Sequence, residues 1–134
     1  MRNLVSILIL LCLLSACQAK STGIPSNLES ISKKSAENLL VSIEAEDYQA
    51  FQKDLASTML DNISESFFEE LRDLLLNDYG IHDSLTYIET IFENDYYVSL
   101  FEISYSKQDL TLRLVLETNA PYQIAGIWFP DIDN

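Results

Sequence analysis

Only a few side chains in this sequence have the type and spacing that acid–base catalysis needs. His82 is the only histidine, and Asp83 follows it, so one interpretation is an imidazole base oriented by a carboxylate. The alternative is a solvated loop histidine, because His82 lies two residues after Gly80, a residue type that commonly ends helices. The sequence contains no G-x-S-x-G nucleophile elbow. We therefore predict no catalytic residue.

Patterns that bind metals or phosphates are also missing from the sequence. Its three glycines, Gly23, Gly80 and Gly126, are too scattered for a phosphate-binding loop. Acidic residues form clusters, which are Glu44, Glu46 and Asp47; Glu69, Glu70 and Asp73; and Asp131 and Asp133. None of these clusters has the spaced oxygen ligands and bend glycine of a calcium loop. We therefore expect solvated acidic faces, no metal site and no cofactor.

Both cysteines, Cys12 and Cys17, lie in an N-terminal stretch that has one early positive charge, Arg2, and an apolar run from Leu4 to Leu14. The eleven residues of this run would make a helix of about 16 Å, whereas a membrane span needs about 20 residues. A charged start, a short apolar middle and a small-residue end indicate an export signal that is cut off. The chain after Cys17 then has no disulfide, thiolate metal site or cysteine nucleophile.

The end of this stretch, Leu14-Ser15-Ala16-Cys17, resembles the lipobox of bacterial lipoproteins, in which an aliphatic residue and two small residues precede a cysteine. The resemblance implies cleavage between Ala16 and Cys17, diacylglycerol on the Cys17 thiol and a further acyl chain on the new amino terminus. Two or three acyl chains hold a protein stably on a membrane, where one holds it marginally. The alternative is an ordinary signal peptide cut after Ala19.

The resemblance also implies a location, which is the cell envelope with the protein held to a membrane by lipid. In Gram-negative lipoproteins, an aspartate after the cysteine tends to retain the protein in the inner membrane. Here the residue after Cys17 is Gln18. We therefore expect the outer membrane, with the domain facing the periplasm, if the cell is Gram-negative.

The charge of the sequence limits its partners. After removal of residues 1–16, 118 of the 134 residues remain, and these hold 7 Lys or Arg against 21 Asp or Glu. This length is enough for one core and one domain, and so acidic a surface repels nucleic acid phosphates. We therefore expect no nucleic acid partner. The charge favours either a basic partner or simply a soluble surface.

Composition divides the chain into three parts. Residues 1–16 are the expected lipoprotein signal peptide. Residues 17–30 comprise the acylated cysteine and a polar segment with Gly23 and Pro25, which is typical of a flexible tether. Residues 31–134 are the expected single domain.

Hydrophobic periodicity predicts three helices in the first half of this domain. Apolar residues at helical spacing indicate a helix over residues 31–45, and Asp47 is a suitable N-cap for a short second helix. A third helix is capped by Ser64 or Ser66 and ends at Gly80.

The second half of the domain has the alternating pattern of β-strands. Strands are predicted at residues 85–92, 96–105, 110–116 and 122–129, with short turns between them. Short turns between successive strands indicate an antiparallel meander. The predicted class is α+β, with the N-terminal helices packed on one face of a curved four-stranded antiparallel sheet.

The segment from Ala36 to Gly80 and the closing strand from Ile124 to Phe129 resemble small bacterial domains of the nuclear-transport-factor-two-like, or cystatin-like, superfamily. The similarity covers about residues 32–130. It implies a cone whose mouth admits a small ligand, and the residues expected to line this pocket are Tyr87, Tyr97, Phe101, Tyr105 and Trp128. The alternative for these aromatic residues is core filling, with hydroxyl groups at the rim.

Three functions remain open from the sequence. The leading hypothesis is a lipid-anchored envelope lipoprotein that binds an envelope protein or a small apolar ligand without catalysis. The second is a cone-fold isomerase, cyclase or hydrolase, although the predicted strand interiors lack the inward aspartate of such enzymes. The third is a structural accessory of an envelope assembly. An apolar patch outside the cone would favour the first or third hypothesis.

Overall fold

The structure is a computed structural model that describes residues 23–132, and in this range helices are followed by one antiparallel sheet. The helices are α1 (Leu28–Glu44), α2 (Tyr48–Phe51), α3 (Ser57–Leu60) and α4 (Glu65–Leu74). The strands are β1 (His82–Glu93), β2 (Tyr96–Tyr105), β3 (Asp109–Leu116) and β4 (Ile124–Trp128). The predicted α+β class is confirmed. The expected signal peptide, the cleavage site and Cys17 lie outside the described residues.

Two short polar side chains begin helices at the predicted positions. The Asp47 carboxylate accepts a hydrogen bond from the backbone N–H of Ala50 at 2.9 Å, and the Ser64 hydroxyl accepts one from Phe67 at 3.2 Å. Each bond satisfies an N–H group that has no partner within its helix. Of the two serines predicted to cap the third helix, Ser64 is therefore the cap.

The first helix begins earlier than predicted. The sequence predicts a tether up to residue 30 and a helix from residue 31, whereas α1 starts at Leu28. Leu28 is fully buried, and its N–H donates to the Pro25 carbonyl at 3.0 Å. Because burial of an apolar side chain stabilises the added turn, the segment before the first helix ends at residue 27.

The helical half of the domain ends at Gly80, as predicted. A π-helical turn over Leu75–Tyr79 follows α4, and the Gly80 N–H donates to the Leu75 carbonyl at 2.9 Å. Gly80 has a φ of 93°, and a Cβ at this position would lie 2.0 Å from the Ser106 hydroxyl oxygen. Both the backbone conformation and the available space therefore require glycine.

Each strand pairs with its neighbour in sequence, in the order β1-β2-β3-β4. Asn94 and Asp95 form the turn between β1 and β2 with φ values of 51° and 65°, as a two-residue type I′ hairpin requires. The predicted meander is confirmed, with corrections at its first and last strands. β1 begins at His82 and not at residue 85. Tyr122 has a φ of 60° and lies in the turn before β4, so the last strand begins at Ile124 and not at residue 122.

One face of the sheet carries the hydrophobic core. The buried residues of β3 alternate along the strand and are Leu110, Leu112, Leu114 and Leu116. From the helical layer, α1 contributes Leu39, Leu40 and Ile43 to the same cluster. The predicted alternation on β3 is confirmed, and the face that carries Leu114 is the one that the helices cover.

The opposite face of the sheet is partly exposed and holds an ion pair. Arg113 of β3 pairs with Glu93 of β1, and its guanidinium carbon lies 5.8 Å from the centre of the Trp128 ring. Because β1 and β3 flank β2, this ion pair crosses β2 on the face where Val98 is 2% exposed. The stem of an arginine shields apolar surface while its charged head stays near water.

Truncating the two neighbouring side chains Leu114 and Arg113 should have unequal effects on stability. Leu114→Ala leaves a cavity in the core and should lower the free energy of unfolding by about 2–5 kcal/mol. Arg113→Ala removes a partly exposed ion pair and should cost about 1 kcal/mol or less. Urea denaturation of both variants measures the two effects. An equal or reversed order would contradict this strand register, since a one-residue slip exchanges the two faces.

Candidate functional site

An apolar groove with a volume of about 420 Å³ lies between α4 and β4. Its helical wall is formed by Phe67, Leu71 and Leu74, and its strand wall by Ile127, Trp128 and Phe129. We call this surface the α4–β4 groove. Phe67 and Trp128 each remain 47% exposed, so both walls present a large aromatic side chain to solvent.

The groove continues toward α3 as a second depression of about 250 Å³. Met59 and Ile63 are added to the helical wall there, and Gly126 is added to the strand wall. The two depressions share Phe67, Leu71, Ile127 and Phe129. The groove is therefore elongated, and it is apolar along its length.

The helical wall follows from two adjacent phenylalanines that cannot both enter the core. Phe68 is buried, and its ring centre lies 5.0 Å from that of Phe51 and 5.4 Å from that of Tyr48. Phe67 is the next residue around the helix, about 100° away at 3.6 residues per turn. Leu71 and Leu74 lie four and seven residues after Phe67, so they share its face of α4. This second apolar stripe forms the groove.

The strand wall belongs to an edge of the sheet. On one side β4 pairs with β3, and on the other side Ala56 N–H donates to the Ile124 carbonyl at the start of β4, at 2.8 Å. The described residues include no further strand beside β4. An edge strand presents backbone N–H and C=O groups that can pair with an added strand.

The charges around the groove are mainly negative. Glu70 lines the helical wall, and Asp131, next to the lining residue Ile132, is exposed. Arg72 is also on α4, but it already forms ion pairs with Glu46 at 3.4 Å and Asp73 at 3.5 Å. The groove thus combines an apolar floor with an acidic rim.

The structure corrects the interpretation of His82. The sequence favours a solvated loop histidine, with Asp83 as the partner if it acts as a base. In the structure His82 begins β1, and its partner is Glu44 at the end of α1. The Glu44 carboxylate accepts a hydrogen bond from the His82 backbone N–H at 2.8 Å and lies 2.5 Å from its Nδ1.

The phenol of Tyr105 lies beside this Glu44–His82 pair, and Tyr79 packs against Tyr105. The Tyr105 ring lies edge-on to the His82 ring, with 6.5 Å between centres, and 5.9 Å from the Tyr79 ring. Burial, followed by the nearby Glu44 and Tyr79, raises the pKa of Tyr105 above its ordinary value. The side chains of His82 and Glu44 are only 17% and 20% exposed. The contact joins the end of α1 to the start of β1.

The five aromatic residues predicted to line a pocket lie in two places. Tyr97, Phe101 and Tyr105 belong to the hydrophobic core, and Tyr87 packs against it with its hydroxyl donating to Thr90 at 3.0 Å. None of these four lines the α4–β4 groove, whereas Trp128 does. A small-ligand pocket built from the first four stays a prediction. Phe67, Leu71 and Leu74 were missed as site residues, although the Phe67-Phe68 pair signals an apolar stripe beyond the core.

Within residues 23–132, no cluster of three His, Cys, Asp or Glu side chains is arranged to hold a metal ion. No helix in this range has the length and apolar character to cross a membrane. No protein-family model, curated protein or solved structure matches the chain. The features that indicate a function are therefore the sequence motif at Cys17 and the geometry of the domain.

Alkaline pH should destabilise the fold through Tyr105. Its pKa is raised in the folded state, so its contribution to stability is complete below the unfolded pKa of about 10 and is lost as the pH rises toward the folded value. The urea midpoint of the wild-type protein should therefore fall as the pH rises above about 10. Tyr105→Phe removes the ionisable group and should make this fall less steep.

Tyr96→Phe provides the matched control, because Tyr96 is 41% exposed. Its urea midpoint should follow that of the wild-type protein across the same pH range. If Tyr105→Phe and the wild-type protein lost stability with the same slope, the role assigned to Tyr105 would be wrong.

Proposed function

We propose that this protein is a lipid-anchored lipoprotein of the cell envelope whose domain binds a protein partner through the α4–β4 groove, without catalysis. The observation that carries the binding role is the exposed apolar groove. Phe67 and Trp128 stand on opposite walls, each 47% exposed. Large aromatic side chains of this kind supply most of the binding energy where a partner removes them from water.

The shape of the groove favours a protein segment over a small ligand. Small-molecule sites are concave and typically bury about 70–90% or more of the surface of their ligand. Here the two adjoining depressions form one elongated surface that is open along its length. An extended or helical segment of a partner can cover such a surface, and a small molecule in it would remain largely in water.

The anchor in this proposal is Cys17, on the basis of its resemblance to a lipobox. Residues 18–27 would then separate the acylated cysteine from α1. Ten residues reach at most about 35 Å when fully extended. The start of α1 would be held within this distance of the membrane, so the domain would bind partners at or near the same membrane.

A cone-fold enzyme is the second candidate, because of the Glu44–His82 pair. A carboxylate and an imidazole 2.5 Å apart, beside the phenol of Tyr105, are groups that transfer protons in many enzymes. The same contact also holds α1 against β1, which explains it without catalysis. His82→Gln separates the two candidates: under the binding proposal it leaves partner capture intact, whereas loss of cellular function with fold and capture unchanged would favour an enzyme.

Photocrosslinking in cells tests the proposed function. A photoreactive phenylalanine analogue in place of Phe67 should form adducts with a partner protein in the envelope, because the side chain at this position lies inside the interface. The same analogue in place of Ile88, which is 52% exposed on β1 at the opposite edge of the sheet, should not form these adducts. Equal adducts from both positions, or none from position 67, would contradict the groove as the binding surface.

The Cys17→Ser variant is the second arm of this experiment. It should lose labelling by a clickable fatty acid, leave the membrane fraction and form fewer adducts from position 67. Continued labelling of the serine variant would contradict the anchor while leaving the groove to be judged on its own adducts.

A further inference from the structure

We infer that the occupant of the α4–β4 groove is an extended, basic segment of the partner, with apolar side chains at alternate positions, which adds to the edge of β4 as a fifth strand. This inference rests on the proposed function and narrows it to one class of partner. It follows from three properties of the groove, namely its strand edge, its apolar wall and its charge.

The strand edge favours an extended segment. β4 spans Ile124–Trp128 and is the last strand of the sheet, and Leu55 and Ala56 meet its outer edge at Ile124. A partner strand can therefore align with the later part of β4. Backbone hydrogen bonds supply affinity in this mode of recognition, and pockets for alternate side chains supply specificity.

The walls of the groove determine which side chains of the segment are apolar. Successive side chains of a strand point to opposite faces. On the helical side, an added strand meets Phe67, Leu71 and Leu74, so every second residue has to be apolar. On the other face, the side chains of the added strand lie beside Trp128 and contact solvent, so polar residues are accommodated there.

The charge of the domain makes the remaining residues basic. Residues 23–132 hold 6 Lys or Arg against 20 Asp or Glu, and no lysine lines the groove. Arg113 stacks on Trp128 near the strand wall, but Glu93 neutralises it. Lysine or arginine side chains of the segment would lie close to Glu70 and Asp131.

Two other occupants fit the groove less well. A second copy of this chain carries the same excess of acidic residues, so pairing β4 with β4 brings two negative rims together. The segment from Gln18 to Thr22 contains no large apolar side chain, so it cannot fill the apolar wall.

Trp128, the only tryptophan of the chain, allows a direct test by fluorescence. The probe is the acetylated and amidated peptide Lys-Val-Lys-Val-Lys-Val, titrated into the purified mature protein. Trp128 emission should change saturably. The affinity should fall as added salt shortens the Debye length from about 30 Å at 0.01 M to about 8 Å at 0.15 M.

Three control peptides test the chemistry of the segment. Glu-Val-Glu-Val-Glu-Val keeps the alternation but reverses the charge, and it should not bind. Two lysine–valine peptides are N-methylated, one on its odd-numbered and one on its even-numbered residues. Each of them loses the backbone N–H donors along one of its two edges. The register that faces β4 should bind roughly tenfold more weakly. Equal binding by the acidic peptide, or no loss with either methylated register, would overturn the inference.

Variants of the protein test the location. Phe67→Ser should weaken binding of the lysine–valine peptide roughly tenfold, and Ile88→Ser should leave it unchanged. Circular dichroism checks that both variants fold, which we expect because both side chains are exposed. If position 67 forms adducts in envelopes but the basic peptide does not bind, the inference on partner chemistry fails and the proposed function stands.

Discussion

The structure depends on one constraint, which is that the sheet has a single apolar face and the helices have to cover it. The leucines of β3 and the buried aromatic residues of β2, Tyr97, Phe101 and Tyr105, point to this face, and α1 packs against β1 and β3 to remove them from water. Such burial is the main favourable term in folding. Because the cover is one-sided, the outer face and the two edge strands of the sheet remain available for other roles.

The notable surface features follow from how the helical layer meets the sheet. At the end of α1, Glu44 would be an uncompensated acid beside the negative end of a helix, and His82 at the start of β1 supplies both of its hydrogen bonds. On α4, Phe68 enters the core and Phe67 cannot follow it. The groove beside β4 is thus the apolar surface that the core leaves exposed, and its acidic rim limits which partners can approach.

Local patterns predicted much of this fold. The caps at Asp47 and Ser64, the end of the helical half at Gly80 and the alternation on β3 each depend on residues close in sequence, so they could be recognised without a structure. The Glu44–His82 contact joins residues 38 positions apart, so no local sequence pattern predicts it. The groove could not be predicted for a similar reason, because the exposure of Phe67 depends on where α4 lies relative to β4.

Amide hydrogen exchange tests the central claim most directly, which is that the domain works by binding a partner along α4 and β4. The acylated protein in envelope vesicles is compared with the purified protein. Our account predicts slower exchange in the envelope over residues 65–74 and 124–132, where the walls of the groove lie, with no change over β1. Slower exchange centred on the Glu44–His82 contact, with none along β4, would contradict it.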